Sequence, residues 1–249
     1  RKKAIGAEKW YEKIKLSYTG LLQNSLTAQQ DVFFKKSLIK DWRNAMQHRI
    51  PISATFNLFN YINVTPNIQL ADRMYTNKVR RSWDQEAAVE RMDTTYGFYN
   101  VWDFNASVSL DTKVYAFFQP LGALGKKIKM IRYVMTPSVS FNASPDFSSP
   151  FFGYYGSYDY VDRQGLQQTR KYSLFPNALF GVPGQGSTGS VSLAIANNLE
   201  MKVKSDADST GEKKISLIEN FNISQSYNFA ADSLRWSDIS TTLLLRLTK

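Results

Sequence analysis

The chain has 249 residues, 31 Lys+Arg against 21 Asp+Glu, no cysteine and a single histidine, His48. That length suits one large domain or two ordinary ones, while the composition excludes a disulfide scaffold, a thiolate metal site and most chemistry that needs a histidine base. No run of 18 apolar residues occurs, so no transmembrane helix is expected, yet aromatic residues reach 14%.

From the N-terminus, Arg1-Lys2-Lys3 is basic, but Ala4 to Trp10 is too short and mixed for a signal-peptide core, and none is expected. Trp10, Ile14, Leu16, Tyr18 and Leu22 then interleave with Lys13, Lys15, Ser17, Thr19 and Gln23, the period of a half-buried strand. A long charged loop is predicted over about 26–47. Between Arg49 and Leu58 the alternation is strict: Ile50, Ile52, Ala54, Phe56 and Leu58 against Arg49, Pro51, Ser53, Thr55 and Asn57. Phe59-Asn60-Tyr61 is short enough for a hairpin, after which Ile62, Val64, Pro66, Ile68 and Leu70 repeat the pattern. A polar loop is predicted over 79–92.

Roughly Asp93 to Leu110 forms the next strand, with Tyr96 to Leu110 sharing one face, a turn near Asp111 leads to Val114–Phe118, and Ile131 to Phe141 follows. Residues 145–186 form the longest loop, with the run Phe151-Phe152-Gly153-Tyr154-Tyr155-Gly156 and room for one or two short strands. Val191–Val203, Ile215–Phe229 and Ile239–Leu247 complete nine predicted strands, and Ser205–Glu212 is a polar turn. No linker interrupts the pattern, so residues 1–249 are one all-β domain.

Alternation suits either a soluble sandwich or a membrane barrel. Strands of about 15 residues exceed the usual globular length, and aromatics gather at strand ends (Trp10, Tyr61, Tyr96, Phe118, Trp236), as interfacial girdles require. The expected fold is therefore a transmembrane antiparallel β-barrel. Nine strands do not close the even-numbered barrel of bacterial outer membranes, so the chain reads as a segment of a larger barrel.

Several stretches carry a family resemblance. Lys40-Asp41-Trp42-Arg43-Asn44, His48 to Ser53, Tyr75 to Arg80, Ile131 to Phe141, Leu179 to Gly184, Asn197 to Lys204 and Ala231 to Asp238 resemble, in that order, the lipopolysaccharide-assembly protein LptD as found in Bacteroidota. The resemblance spans nearly the whole chain and rests on strand and loop signatures. It implies an outer-membrane barrel of a Gram-negative bacterium, with this chain as its central to C-terminal part. It further implies an LptE-like lipoprotein plug, periplasmic bridge proteins reached through an N-terminal domain, and release of lipopolysaccharide into the outer leaflet through a lateral gap. The cysteines that pair in proteobacterial members are absent, which puts disulfide-controlled maturation in doubt for this stretch.

Such a role needs no bond-making residue, so no enzyme activity, metal or cofactor is expected. Cations on the polar parity, Lys13, Lys15, Arg49, Arg73, Lys113, Arg132, Lys202 and Lys204, are candidates to meet lipid phosphates; the competing reading pairs them with carboxylates such as Asp103 and Glu200. Ile50, Ile52, Phe56, Leu58, Trp102, Phe104, Val108 and Leu110 are candidates for the lipid-facing side. Pro51, Pro66 and Pro137 remove ladder donors within strands, pointing to edges or bulges, or to a weakened seam. His48 reads as an ordinary polar contact. Pro183 among Gly181, Gly184 and Gly186 lacks the Lys-Ser/Thr of a phosphate-binding loop. The net charge of +10 suits contact with anionic lipid or a partner surface as well as plain loop solvation, and scattered basic residues without a recognition motif argue against nucleic acid. A passive porin or nutrient-uptake barrel is the alternative function, with a soluble carbohydrate-binding sandwich third.

Overall fold

A computed structural model describes residues 9–27, 42–122, 127–205 and 211–246. After a 3-10 turn, Trp10–Lys13, the strands are β1 Ile14–Leu16, β2 Thr19–Leu26, β3 Trp42–Ala54, β4 Phe56–Leu58, β5 Ile62–Asp84, β6 Val89–Thr112, β7 Val114–Phe118, β8 Ile128–Ser144, β9 Tyr155–Val161, β10 Gln167–Ser173, β11 Thr188–Lys204, β12 Glu212–Asn228 and β13 Ser240–Leu245. All but β9 and β10 form one antiparallel sheet whose neighbours follow chain order, a meander running from β1 and β2 to β13; β9 and β10 make a separate hairpin. Among the described residues the sheet stays open, with β1, β2 and β13 at its edges. Of the barrel segment expected above, the described residues show the all-β, antiparallel sheet, which is open.

Several boundaries differ from the expectations. Lys13 lies in the 3-10 turn rather than on a strand. The loop placed at 26–47 includes strand from Trp42 onward, and its residues 28–41 lie outside the described ones. Most of 79–92 is also strand, because β5 and β6 continue to Asp84 and from Val89. The turn placed near Asp111 is not a reversal. Asp111 faces Ser138 and Val114 faces Met135, so β6 and β7 run along β8 in one register. The two short strands anticipated within 145–186 are β9 and β10.

The prolines explain the interruptions. Register carried across the gap sets Thr112 opposite Pro137, Ala54 opposite Pro66 at the break between β3 and β4, and Ser17 opposite Pro51 between β1 and β2. Ser17 donates its N–H to the Pro51 carbonyl at 3.2 Å, and the reciprocal bond cannot form because proline has no N–H. Contrary to the edge-or-bulge expectation, these prolines sit on strands flanked on both sides, and the register passes them without a shift. Each proline therefore nicks the ladder of a neighbour rather than bending its own strand.

Cross-strand partners share a face, so the register sorts the side chains. Ile52, Ile68 and Ala106 lie in one row, Ile50, Leu70 and Phe104 in another, and Phe56, Val64 and Leu110 in a third; Val108 faces Phe141. The face continues through Val139, Leu193 and Ile195. It remains uncovered: Ile68 is 43% exposed, Val139 39% and Leu193 44%. The apolar residues buried among those described are only Ala45, Ala54, Tyr75, Val101, Phe147, Tyr154, Tyr172 and Phe175. A soluble sandwich of this length buries both inner faces of two sheets, and among the described residues the one other sheet is the two-stranded β9–β10 hairpin.

The small core sits where residues 145–186 fold back. Beyond Ala106, β6 has lost β8 as a neighbour, and the Tyr154 hydroxyl takes its place, accepting the Trp102 N–H and donating to the Trp102 carbonyl, both at 2.9 Å. Tyr75 donates to the Gly181 carbonyl at 2.6 Å, and Tyr155 to that of Pro183 at 2.6 Å. Asp146 ties the two ends of the segment, its Oδ1 accepting the N–H groups of Ser148 (2.8 Å) and Gly186 (2.9 Å).

Candidate functional site

The face opposite the apolar one is polar, and its rows are hydrogen-bonded across strands. Asn57 donates to Asn63 (3.3 Å) and Asn63 to Asp111 (3.0 Å), while the Ser109 and Ser140 hydroxyls meet at 2.9 Å. The candidate cations on strands share this face but are not gathered in one place. Lys15 faces Ser53 and Arg49 faces Ala71. Lys113 falls in the gap opposite Thr136 when the register is carried across it.

Arg73 is paired with Asp103, both side chains largely covered at 13% and 20% exposure. It lies in the row of Gln47 and Val101, which are 1% and 0% exposed, in the region where Phe147, Tyr154 and Phe175 close over the sheet. Here the carboxylate-pairing reading of the sequence describes the arrangement. Arg132 likewise pairs with Glu200, as that reading named.

The densest charge lies at the other end of the same face, across β8, β11 and β12. Glu200 receives Arg132 from β8 and Lys214 from β12 at 2.6 Å. Glu212 receives Lys129 at 2.5 Å and Lys202 at 3.4 Å. Lys204 faces Glu212 in register. The network carries more cations than carboxylates, so it stays electropositive after pairing. Glu200 is 13% exposed, whereas Arg132, Lys202 and Lys214 remain 41%, 55% and 57% exposed. Each cation can therefore turn toward a solvent-side anion without unburying a carboxylate. A cleft of about 260 Å³ opens beside them, lined also by Phe117 and Met130. Cations beside apolar side chains suit an anionic amphiphile better than a small inorganic ion.

Lys129, Lys214 and Glu212 are missing from the candidate set read from the sequence. β8 and β12 begin at Ile128 and Glu212, ahead of the apolar residues that marked them in the sequence. Parity extended back from Ile215 would have placed Lys214 on the polar side. The bulges between Asn197 and Glu200, which set Glu200 opposite Ser216, have no such local signal.

The lipid-side candidates Ile50, Ile52, Phe56, Leu58, Phe104, Val108, Leu110 and Trp102 do fall on one face. Trp102 and Phe104 also pack edge-on against Phe152 and Phe147 of the long loop, at 5.5 and 5.8 Å between ring centres. On that face His48 accepts or shares a proton with Tyr18, whose hydroxyl lies 2.6 Å from Nδ1, a polar contact of the kind expected. Loop electrostatics are set by hydrogen bonds. The Ser148 hydroxyl donating to Asp146, with the amides of Ser148 and Gly186, holds that carboxyl below the usual range, and burial pushes the Tyr154 and Tyr155 hydroxyls up.

Compared with known proteins, residues 1–249 match the family model described as LptD protein. No curated protein and no solved structure matches the chain.

Proposed function

The chain belongs to the LptD protein family, and on that premise we propose that it forms part of an outer-membrane β-barrel that opens laterally to place lipopolysaccharide in the outer leaflet. The family is one of lipopolysaccharide transport and assembly in the Gram-negative outer membrane and is not enzymatic, and a passive porin is not favoured by it. The observation that carries the reading is the pairing of an uncovered apolar face with an electropositive polar face on one sheet. In a barrel the first faces acyl chains and the second lines a wet lumen.

In this reading the candidate apolar residues contact lipid. Lys15, Arg49, Lys113, Arg132, Lys202 and Lys204, with Lys13 and Arg73 at the margins, face the lumen. There the network around Glu200 and Glu212 meets the phosphates of the glycolipid by exchanging one anionic partner for another. Connections at one end of the meander are short, 59–61, 119–127 and 205–211, while of those at the other, 27–41, 85–88, 145–187 and 229–239, all but 85–88 are longer than any of these. Short turns are periplasmic and long loops extracellular in outer-membrane barrels, so the cationic cleft lies on the periplasmic side, where the substrate arrives. The ladder nicks opposite Pro51, Pro66 and Pro137 lower the cost of deforming the wall as a gap opens. Closure comes from further strands beyond β1, β2 and β13, an LptE-like lipoprotein occupies the lumen, and periplasmic bridge proteins deliver the substrate.

Controlled depletion of the protein in its native cell tests this. The reading requires lipopolysaccharide to accumulate inside while surface-accessible lipopolysaccharide falls; unchanged surface display during depletion overturns it.

A further inference from the structure

The β5–β6 hairpin projects beyond the rest of the sheet. β3 pairs with β5 only as far as Tyr75, and β8 leaves β6 at Ala106. Along the freed edge of β5 lies the β9–β10 hairpin, fastened at its base. Val79 donates its N–H to the Leu174 carbonyl at 2.7 Å, and the Tyr172 hydroxyl accepts the Arg81 N–H at 2.9 Å while donating to the Arg81 carbonyl at 3.2 Å. Gly156, directly opposite Tyr172, makes room for that ring; a Cβ there would lie 2.9 Å from it. Farther out the two hairpins enclose a cleft of about 280 Å³.

Its lining combines aromatic rings and arginines with two carboxylates, Glu90 and Asp162, the latter accepting the Gln164 and Leu166 amides of its own turn. Trp83 and Tyr160 meet at 5.7 Å and 54° between rings, with Tyr158 at 6.2 Å from Tyr160, so three aromatic rings stand in one half-exposed cleft far from the core. Arg163 and Arg170 line the same cleft. Glu90 is already held by Arg81 at 2.9 Å, and Arg170, 59% exposed, comes no nearer to it than 4.0 Å. Aromatic faces take the C–H face of a pyranose ring, and a guanidinium fork grips a carboxylate or phosphate bidentately.

From this we infer that the cleft between the β5–β6 tip and the β9–β10 hairpin binds an acidic saccharide, its ring on the aromatic side chains and its anionic substituent on Arg163 and Arg170. The inference is independent of the transport reading and of the cation network at the opposite end of the sheet. Two sources share the chemistry: the sugar portion of lipopolysaccharide, and an unrelated acidic polysaccharide at the cell surface.

Isothermal titration of the detergent-solubilised full chain with three probes tests it: a galacturonate hexamer, deacylated lipopolysaccharide, and neutral maltohexaose. Saturable binding of either acidic probe, with maltohexaose at least about tenfold weaker, is expected. Binding of deacylated lipopolysaccharide alone, lost when Arg163 and Arg170 are both replaced, would assign the cleft to the glycolipid's own sugar, whereas binding of the hexamer would assign it to acidic polysaccharides at large. Arg163→Ala with Arg170→Ala should weaken the acidic probe about tenfold or more. Arg246→Ala, just past β13 and paired with Glu219, should leave it unchanged. Both arginines lie in the exposed hairpin, and far-UV circular dichroism of the double variant verifies the fold. Absence of binding by both acidic probes at millimolar concentration, equal binding of maltohexaose, or indifference to the double substitution overturns the inference.

Discussion

Replacing Ile68 by arginine separates a lipid-facing sheet from a merely exposed one. Ile68 is 43% exposed, so in water the change touches little packing and shifts stability by about 0.5 kcal/mol or less. In a bilayer the outcome is different. Ile68 lies six residues beyond Ile62, where β5 begins, or ~20 Å along a strand. At a tilt of ~40° that is ~15 Å along the membrane normal, just past the middle of an apolar band ~25 Å tall. An arginine near that depth costs ~2–3 kcal/mol, a factor of ~30 to ~150 in the folded ratio. Asn67→Arg, one residue away on the polar face, is the control and should cost far less. Equilibrium folding into phospholipid vesicles, followed by heat-modifiable gel mobility and tryptophan fluorescence, reads both. Equal behaviour of the two variants would refute the assignment of faces.

Other consequences are equally concrete. Pro51→Val restores the donor opposite the Ser17 carbonyl and should stabilise the sheet by ~0.5–1.5 kcal/mol, seen as slower exchange of the neighbouring amides; if the nick serves gap opening, surface delivery of lipopolysaccharide falls in the same variant. Tyr154→Phe strips both hydrogen bonds from Trp102 and should cost ~1–3 kcal/mol, with exchange of the Trp102 amide rising; an unchanged amide contradicts the edge-capping role. Glu200→Gln removes the charge shared by Arg132 and Lys214, and because both cations are about half exposed the loss should be ~1 kcal/mol, fading in high salt; a stabilised variant would show that the cations repel nothing. The Asp146 carboxyl is held below its ordinary range, so its contribution is present above the unfolded-state value and disappears as pH falls through the lower folded-state one. Limited proteolysis between Pro145 and Gly186 should therefore accelerate only in strong acid, and Asp146→Asn should abolish that pH dependence.

Period-2 alternation made the all-β fold legible wherever one face is apolar, as between Arg49 and Leu70. It failed where neither face is. The tip of β5 and β6 carries charges on both sides because it stands clear of the sheet, so it looked like a loop. The gap at Lys113 looked like a turn because its cause, Pro137, lies on another strand and only the register links them. Polar parity identified Arg73, Arg132 and Lys202, but not which cations would gather. That depends on the bulges near Leu199, which bring Lys214 opposite Lys202. The fold of 145–186 was beyond local reading for the same reason, since Tyr154 and Tyr172 satisfy backbone groups of Trp102 and Arg81, 52 and 91 residues away.

The central claim is that lipopolysaccharide travels over the electropositive face of this sheet. Photo-crosslinking in living cells tests it directly, with the reactive group placed at Lys202 or Phe117 on the polar face and, for comparison, at Gln47, buried on the same face where residues 145–186 close over the sheet. Lipopolysaccharide captured at Lys202 and Phe117, with yield falling when substrate supply is blocked, is the predicted result. No capture at either position, while the protein remains assembled and surface delivery continues, would contradict the account.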